Sequence, residues 1–361
     1  MEPVRVLGMM SGTSLDGVDA ALMRTDGEGL AEPGRSAYRP YAPAERAVLR
    51  AALGRWPGEA GVAEAARIVE DAHAEVAAGF SEAELLVFHG QTLAHDPSGR
   101  GTHQAGSGAR LAALTGRAVA WDFRSADVAA GGQGAPLVPF YHFALARRMG
   151  AGPVAFLNLG GVGNLTWADP GAAGPEAAGA LVAFDTGPAN APIDDLMAAR
   201  RGLPRDEGGA LACAGRVDGA VVTAFARHGH FARPAPKSLD RDAFAGLLAA
   251  VAHLTDADAA ATLAACAARA VALGLGCLPA PPGRLIVAGG GRRNAGLMAR
   301  IAAEIAPLVP EQAEAAGLDG DMLEAQAFAY LGMRVRRGLP LSAPGTTGVA
   351  RPMPGGRIAL P

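Results

Sequence analysis

The chain of 361 residues is almost without lysine, holds three cysteines (Cys213, Cys266 and Cys277), and has only 5% aromatic residues. Three thiols so far apart make neither a disulfide framework nor a zinc site, and a chain of this length needs neither. They read as buried thiols in a reducing compartment. An excess of one charge is missing too: the net charge of −3 leaves no electrostatic footprint for nucleic acid or an anionic membrane. No window holds eighteen uninterrupted apolar residues, and no long apolar leader follows Glu2 and Arg5, so a cytoplasmic, unanchored protein is expected. Its partners should be small molecules or other proteins.

Glycine and apolar residues are plentiful: 50 glycines, and 50% hydrophobic against 19% charged residues. That is material for one large domain or two ordinary ones, and two lobes are expected. The apolar run 4–10 breaks into Ser11-Gly12-Thr13-Ser14-Leu15-Asp16-Gly17-Val18-Asp19 and resumes over 20–23, which reads as strand, polar turn, strand. Backbone N–H groups near Gly12 and Gly17 suit an anion, Thr13 and Ser14 add hydroxyl donors, and Asp16 suits a hydrated cation. Taken alone, the stretch is an ordinary Gly/Asp turn. The design recurs where strand 154–159 meets Gly160-Gly161-Val162-Gly163-Asn164 and strand 165–167, a weak repeat of pattern and not of identity.

Between these hairpins, residues 26–43 read as a loop or short edge strand, 44–53 and 61–78 as helices, and 85–88 as a buried strand that stops at His89-Gly90-Gln91-Thr92. A helix over 108–114 closes at Thr115-Gly116, strand 118–121 runs into Asp122-Phe123-Arg124-Ser125-Ala126-Asp127, and a helix over 139–148 ends the first lobe. In the second lobe, strand 181–184 ends in Asp185-Thr186-Gly187-Pro188-Ala189-Asn190, with Asn190 a candidate N-cap. A mobile segment is expected over 205–218, and helices over 219–225, 241–248 and 256–273. Strand 284–288 leads into Gly289-Gly290-Gly291, which permits close approach of an adenine ring or a phosphate. The last helix, 321–337, carries Glu324, and a Pro/Gly-rich tail returns as a loop. The lobes expected are 1–150, to which tail 338–361 returns, and 151–337. Polar clusters thus gather at carboxyl ends of strands, where open α/β sheets bind ligands, without a Walker or dinucleotide glycine motif.

These residues resemble the signature of the anhydro-N-acetylmuramic acid kinases. The run from Met10 to Asp19 carries the likeness, with His89-Gly90-Gln91-Thr92, Asp122-Phe123-Arg124, Gly131-Gly132-Gln133-Gly134-Ala135-Pro136-Leu137, Asn158-Leu159-Gly160-Gly161-Val162-Gly163-Asn164, Phe184-Asp185-Thr186-Gly187-Pro188 and Gly289-Gly290-Gly291. The resemblance spans nearly the whole chain. It implies an α/β, two-lobed actin-like ATPase fold, each lobe a ribonuclease-H-like mixed sheet flanked by helices, with ATP in the interlobe cleft. It also implies a reaction: ATP and water open the 1,6-anhydro ring of anhydro-N-acetylmuramic acid while O6 is phosphorylated, giving N-acetylmuramic acid 6-phosphate in peptidoglycan recycling.

By similarity, Gly12, Thr13, Ser14, Leu15, Asp16, Gly17, Val18 and Asp19 embrace the ATP phosphates, with Gly160, Gly161 and Asn164 opposite and Gly289, Gly290 and Gly291 near the adenine. Asp16 is the candidate for Mg2+ through water, and Asp185 for the catalytic base. His89, Gln91, Thr92, Asp122, Arg124 and Glu324 face the sugar, Arg124 towards its lactyl carboxylate. A homodimer is what the family suggests. Three positions depart from the family pattern: Ser107 stands where an acid is usual after Gln104-Ala105-Gly106, Ala189 replaces a glycine, and Arg292-Arg293 replaces a small residue and a histidine before Asn294. Other readings remain: a kinase for a different sugar, a non-catalytic sensor of nucleotide or muropeptide sugar, or a glycosidase using Asp185 and Glu324, which leaves both glycine hairpins without a use.

Overall fold

The structure, a computed structural model, describes residues 2–150, 152–239 and 241–361. In chain order the elements are β1 (Val4–Ser11), β2 (Gly17–Thr25), β3 (Ala31–Pro40), α1 (Pro43–Ala52), α2 (Val62–Ala78), β4 (Leu85–Asp96), β5 (Gly101–Ala105), α3 (Gly108–Thr115), β6 (Val119–Trp121), α4 (Ser125–Ala129) and α5 (Pro139–Met149). Then follow β7 (Val154–Leu159), β8 (Val162–Ala168), β9 (Leu181–Pro188), α6 (Ala191–Arg201), α7 (Ala210–Ala214), α8 (Gly219–Phe225), α9 (Gly246–Ala250), α10 (Asp256–Leu275), β10 (Arg284–Ala288), α11 (Ala295–Glu304) and β11 (Pro310–Gln312). The chain ends with α12 (Leu323–Arg336), β12 (Pro340–Ser342), α13 (Pro344–Thr347), β13 (Met353–Pro354) and β14 (Arg357–Ala359).

One compact unit takes in the chain up to 149, 173–180 and 322–361. Its seven-stranded sheet has the order β14-β6-β4-β1-β2-β3, with β5 added to β4. Pairs β1·β2 and β2·β3 are antiparallel, whereas β1·β4 and β4·β6 are parallel. The central β1 reads as a continuous apolar run because both of its faces are covered. On one face Val62, Ala65, Val69, Ala72 and Val76, spaced as one side of a helix, bring α2 onto Leu7, Met9 and Phe88. On the other, α12 lies so close that a Cβ on Gly8 would sit 1.9 Å from the carbonyl oxygen of Ala325. That approach fixes the first turn of α12, where Glu324 stands.

The second unit is 150–172 with 181–321. Its five-stranded sheet runs β11-β10-β7-β8-β9, with β7·β8 and β8·β9 antiparallel and β7·β10 and β10·β11 parallel. This repeats the β6-β4-β1-β2-β3 core of the first unit strand for strand, so the weak repeat in the sequence is a repeat of topology. Both sheets have the mixed, ribonuclease-H-like arrangement expected. Leu157, Phe184, Leu263 and Val287 belong to the core of this unit. Among the described residues one helix, α10, is long and apolar enough to cross a membrane, and 67% of that stretch is buried; its apolar surface serves this core.

Several boundaries differ from expectation. Residues 31–40 form a ten-residue edge strand, because pairing with β2 supplies the hydrogen bonds that a Gly/Pro-rich composition does not advertise. Strand β4 continues through His89-Gly90-Gln91-Thr92 to Asp96, and β9 runs through Asp185 to Pro188. The second hairpin turn is therefore only Gly160-Gly161, and Asn164 lies inside β8. The expected mobile stretch 205–218 contains a 3-10 turn, Glu207–Gly209, and α7, held by the Asp206 carboxylate, which accepts from the N–H groups of Leu211 and Ala212. Residues 241–248 form a 3-10 turn, Arg241–Phe244, and then α9 in place of one helix. Helix α12, placed in the second lobe by the sequence reading, belongs to the first unit. The tail is built and not a loop, since β14 pairs antiparallel with β6.

Candidate functional site

The β1–β2 turn consists of residues 12–16, for Gly17, Val18 and Asp19 already pair within β2. The Leu15 N–H donates to the Gly12 carbonyl at 3.1 Å, and the Tyr41 N–H donates to the Asp16 carbonyl at 2.9 Å. Leu15 adopts φ 58° while its side chain is buried in the core beside Val18, so the apolar anchor sustains a left-handed backbone that leucine rarely adopts. Thr13 and Ser14 are left exposed. The Asp16 carboxylate is exposed and pairs with Arg46 at 3.2 Å. No three His, Cys, Asp or Glu side chains among the described residues come together as a metal cage.

On the same unit, His89, Arg124 and Glu324 are brought together. Arg124 donates from Nε to Nε2 of His89 at 3.1 Å and from Nη1 to the Gly134 carbonyl at 2.7 Å. A guanidinium only donates, so Nε2 is an acceptor and the proton sits on Nδ1, 2.9 Å from the Gly90 carbonyl. Burial and the neighbouring Arg124 charge hold the His89 pKa well below the ordinary histidine value. Burial likewise lowers Arg124 to about 10, against the pull of Glu324 and then Asp127. Glu324 keeps solvent access but is crowded by protein, and this desolvation pushes its carboxyl pKa up while the Arg124 charge opposes it. The trio presents a cation whose Nη2 has no partner among the described residues beside a carboxylate of raised pKa.

The other sugar-side candidates are committed elsewhere. Both oxygens of Asp122 are used: one accepts from Ser125 Oγ at the start of α4, the other pairs with Arg357 of β14 at 3.0 Å. Asp122 therefore braces the strand end. Thr92 Oγ1 accepts from Gln104 Nε2 at 3.3 Å within the β4–β5 ladder. Gln91 is fully buried, accepting from Ser11 Oγ at 2.5 Å and donating to the Gly12 carbonyl at 3.2 Å. Its amide serves the first hairpin.

In the second unit the half-buried Asp185 is held on every side. Asn164 Nδ2 donates to Oδ1 at 2.9 Å, the Leu239 N–H to Oδ2 at 2.8 Å, and the Asp185 N–H to the Lys237 carbonyl at 2.9 Å. Burial raises the carboxyl pKa, and the bonds from Asn164 and Leu239 oppose it. The Gly160 and Gly161 carbonyls accept from the N–H groups of Asn190 and Ala189, each at 2.9 Å. A trans peptide directs its N–H opposite to its C=O, so the next N–H groups face away from that contact. Asn190 heads α6 without a side-chain cap; its amide reaches back to the Leu159 carbonyl at 3.3 Å. Gly289 has φ 77°, and a Cβ there would meet Asn158 Oδ1 at 2.3 Å, which ties the Gly289-Gly290-Gly291 turn to the end of β7.

Two of the three departures, Ser107 and Arg292-Arg293, have local explanations. Ser107 is the N-cap of α3, accepting from the Arg110 N–H at 3.4 Å, a duty serine and aspartate share. Arg292 is buried, bonds the Gly289 carbonyl at 3.0 Å, and pairs with Glu314 and Asp321, while Arg293 is exposed and pairs with Asp321. Three residues escaped the sequence reading as parts of a site. Asp127 is buried and accepts from the Gly134 N–H at 2.6 Å, from Ser342 Oγ at 2.5 Å and from Thr347 Oγ1 at 2.7 Å, binding the tail to the loop that holds Arg124. His230 sets Nε2 2.8 Å from the Asp185 carbonyl oxygen. Lys237 is buried behind Phe184 with Nζ donating to the His230 carbonyl at 3.2 Å. The signal for it was available: it is the only lysine in the chain.

A family model described as anhydro-N-acetylmuramic acid kinase matches residues 4–360. Among curated proteins, the anhydro-N-acetylmuramic acid kinase of Cereibacter sphaeroides is 67% identical over 363 residues, covering 99% of this chain and 96% of that protein. The protein of the same name from Ruegeria sp. is 55% identical, again over 99% and 96%. Among solved structures, the activator of the 2-hydroxyisocaproyl-CoA dehydratase from Clostridium difficile matches with a TM-score of 0.47 at 10% identity, covering 92% of this chain and 96% of that one.

Proposed function

This chain belongs to the anhydro-N-acetylmuramic acid kinase family, and from that premise we propose that Asp185 is the base that activates water while Arg124 and Glu324 hold the sugar. The enzyme is an ATP-dependent kinase that opens the 1,6-anhydro ring of anhydro-N-acetylmuramic acid and phosphorylates O6. Water loses a proton to Asp185 as its oxygen bonds to C1. The C1–O6 bond breaks, O6 keeps the electron pair and attacks the γ-phosphorus, and ADP leaves. Because the departing oxygen is the one phosphorylated, no strong acid is required at O6. A placed carboxylate base contributes roughly 10²–10⁴-fold.

The observation that carries this reading is the fixation of the half-buried Asp185 carboxylate by Asn164 and Leu239 inside the β8–β9 ladder, where burial raises its pKa. Bonds to both oxygens orient the remaining lone pairs, and the raised pKa makes the ionised group a better proton acceptor. Arg124, whose Nη2 has no partner among the described residues, offers a charge-assisted bond to the lactyl carboxylate; Glu324 offers an acceptor to hydroxyl or amide groups of the sugar. We assign the phosphates to the backbone N–H groups and hydroxyls of Thr13 and Ser14 and to the Gly160-Gly161 turn, donors of the kind that neutralise charge as it develops on a transferring phosphoryl group. The Gly289-Gly290-Gly291 turn takes the base.

Mg2+ belongs to the proposal as an ion carried mainly by the triphosphate, since Asp16 is a single exposed oxygen donor and suits a largely hydrated ion. When bound, Mg2+ neutralises charge on the transferring phosphoryl group. We extend the proposal to the cytoplasm, where the phosphoryl donor is found, and to the homodimer that the family suggests. The test is incubation with ATP, Mg2+ and 1,6-anhydro-N-acetylmuramic acid, followed by phosphorus NMR and a reducing-sugar assay. A 6-phosphorylated reducing sugar and ADP in equal amounts are expected. Turnover of another sugar alone, or hydrolysis without ATP, overturns it.

A further inference from the structure

We infer that Gln91 is a positioning residue for the nucleotide phosphates and not a sugar ligand, acting through the peptide between Gly12 and Thr13. The inference rests on the kinase reading above and deepens it.

Strands β1 and β4 pair across a bulge. Along β1·β4, Met9 faces Phe88 and Ser11 faces Gln91, so two steps on β1 match three on β4. Gly90, at φ 75°, absorbs the extra residue. Strict alternation gives His89 and Gln91 the same face of the sheet; a bulge reverses the face of all that follows it. His89 accordingly packs on Phe328 of α12 with ring centroids 4.7 Å apart, while Gln91 turns to the opposite face, where Ser11 and Tyr41 lie.

There the amide is consumed. Ser11 Oγ donates to Oε1 at 2.5 Å, and Nε2 donates to the Gly12 carbonyl at 3.2 Å and to the Thr92 carbonyl at 3.3 Å. The Gly12 carbonyl also accepts from the Leu15 N–H at 3.1 Å. With both acceptor directions of this carbonyl engaged, the peptide plane cannot rotate. Its other end, the Thr13 N–H, points the opposite way, into the exposed tip of the turn, with no partner among the described residues. Gln91 thereby converts a glycine-containing turn into one with a preset donor. Without the clamp, the glycine leaves that peptide free to flip, and nucleotide binding must first select the competent orientation.

The bulge also makes one stretch of β4 serve two tasks. Its first residue, His89, orients Arg124 from one face, and Gln91 orients the phosphate turn from the other. Gln91 itself has no atom left for the sugar.

The experiment compares wild type with Gln91→Leu and Gln91→Glu. The readouts are ATP binding by calorimetry without sugar, KM for ATP and for anhydro-N-acetylmuramic acid separately, and the melting temperature. Gln91→Leu is expected to weaken ATP binding about tenfold, the loss of roughly one net hydrogen bond, with a matching rise in KM for ATP and KM for the sugar within about twofold. Gln91→Glu places an acceptor against the Gly12 carbonyl and is expected to bind ATP no better than Gln91→Leu. A rise in KM for the sugar alone, or unchanged ATP binding by Gln91→Leu, overturns the inference. Equal loss in both KM values with a lowered melting temperature overturns it as well, by reducing Gln91 to a structural residue. Should wild type bind no ATP, the kinase reading fails together with it; normal wild-type binding with an unaltered variant sinks only the role of Gln91.

Discussion

Asn164 donates from Nδ2 to Oδ1 of Asp185 at 2.9 Å, joining β8 to β9 across one rung of the ladder. The two residues lie 21 positions apart and are made neighbours by antiparallel pairing, which turns the strand after a glycine hairpin and an acidic residue of β9 into one unit of chemistry. The bond favours the ionised carboxylate, while burial disfavours it. Asp185 is thus a base whose strength is set by two opposed and separable effects.

Replacing Asp185 by Asn removes the proton acceptor and keeps the volume. Turnover is expected to fall by roughly 10²–10⁴-fold or more, with ATP affinity nearly unchanged. Single-turnover assays with calorimetry for ATP decide this, and a fully active variant would falsify the role of Asp185.

Asn164→Ala removes a hydrogen bond that lowers the Asp185 pKa, so that pKa should rise further. The base works only when ionised; activity is present above its raised pKa and is lost as pH falls through it. The acid limb of the kcat/KM profile should therefore move to higher pH in Asn164→Ala, with the alkaline limb in place. An acid limb that stays still, or moves down, contradicts the assignment.

Arg124→Lys keeps a charge but loses the fork that reaches His89, Gly134 and a ligand together. We expect kcat/KM for the sugar to drop roughly ten- to hundredfold, the scale of one charged hydrogen bond. The drop should shrink for 1,6-anhydro-N-acetylglucosamine, which lacks the lactyl carboxylate. An equal drop for both sugars removes that carboxylate as the partner of Arg124.

Ser107→Ala removes the α3 N-cap, and about 1 kcal/mol of stability should be lost in urea unfolding. KM for the sugar should not change. A raised KM at unaltered stability assigns Ser107 to the sugar side in place of the cap.

His89 offers a check on the tautomer. With burial and Arg124 both opposing protonation, its ring should titrate well below the range of an unperturbed histidine in carbon-detected NMR. A normal titration shows that the Arg124 contact is absent in solution.

Much of this was legible from the residues. The apolar runs of β1, β7 and β10, the spacing of α2 and α10, and the Gly116 stop after α3 announce themselves, because burial and helix closure act over a few neighbouring positions. Where strands β4 and β9 end was not legible, since polar residues such as His89 and Asp185 sit in a ladder whenever a neighbouring strand supplies partners. The fates of Gln91 and Asp122 were equally hidden: both have the chemistry of a ligand contact, and both are spent on the protein's own backbone and side chains.

The sequence alone determined the class of fold, the two glycine hairpins, and the family to which they belong, because motif order and periodic burial are properties of the chain. Tertiary structure decided which polar groups remain available. The bulge at Gly90 turned Gln91 from His89 towards Ser11, the approach of α12 over Gly8 set Glu324 by Arg124, and the β8–β9 ladder gave Asp185 its Asn164. Each outcome depends on partners far away in sequence, and a hydrogen-bonding group shows its partner only when the chain has folded.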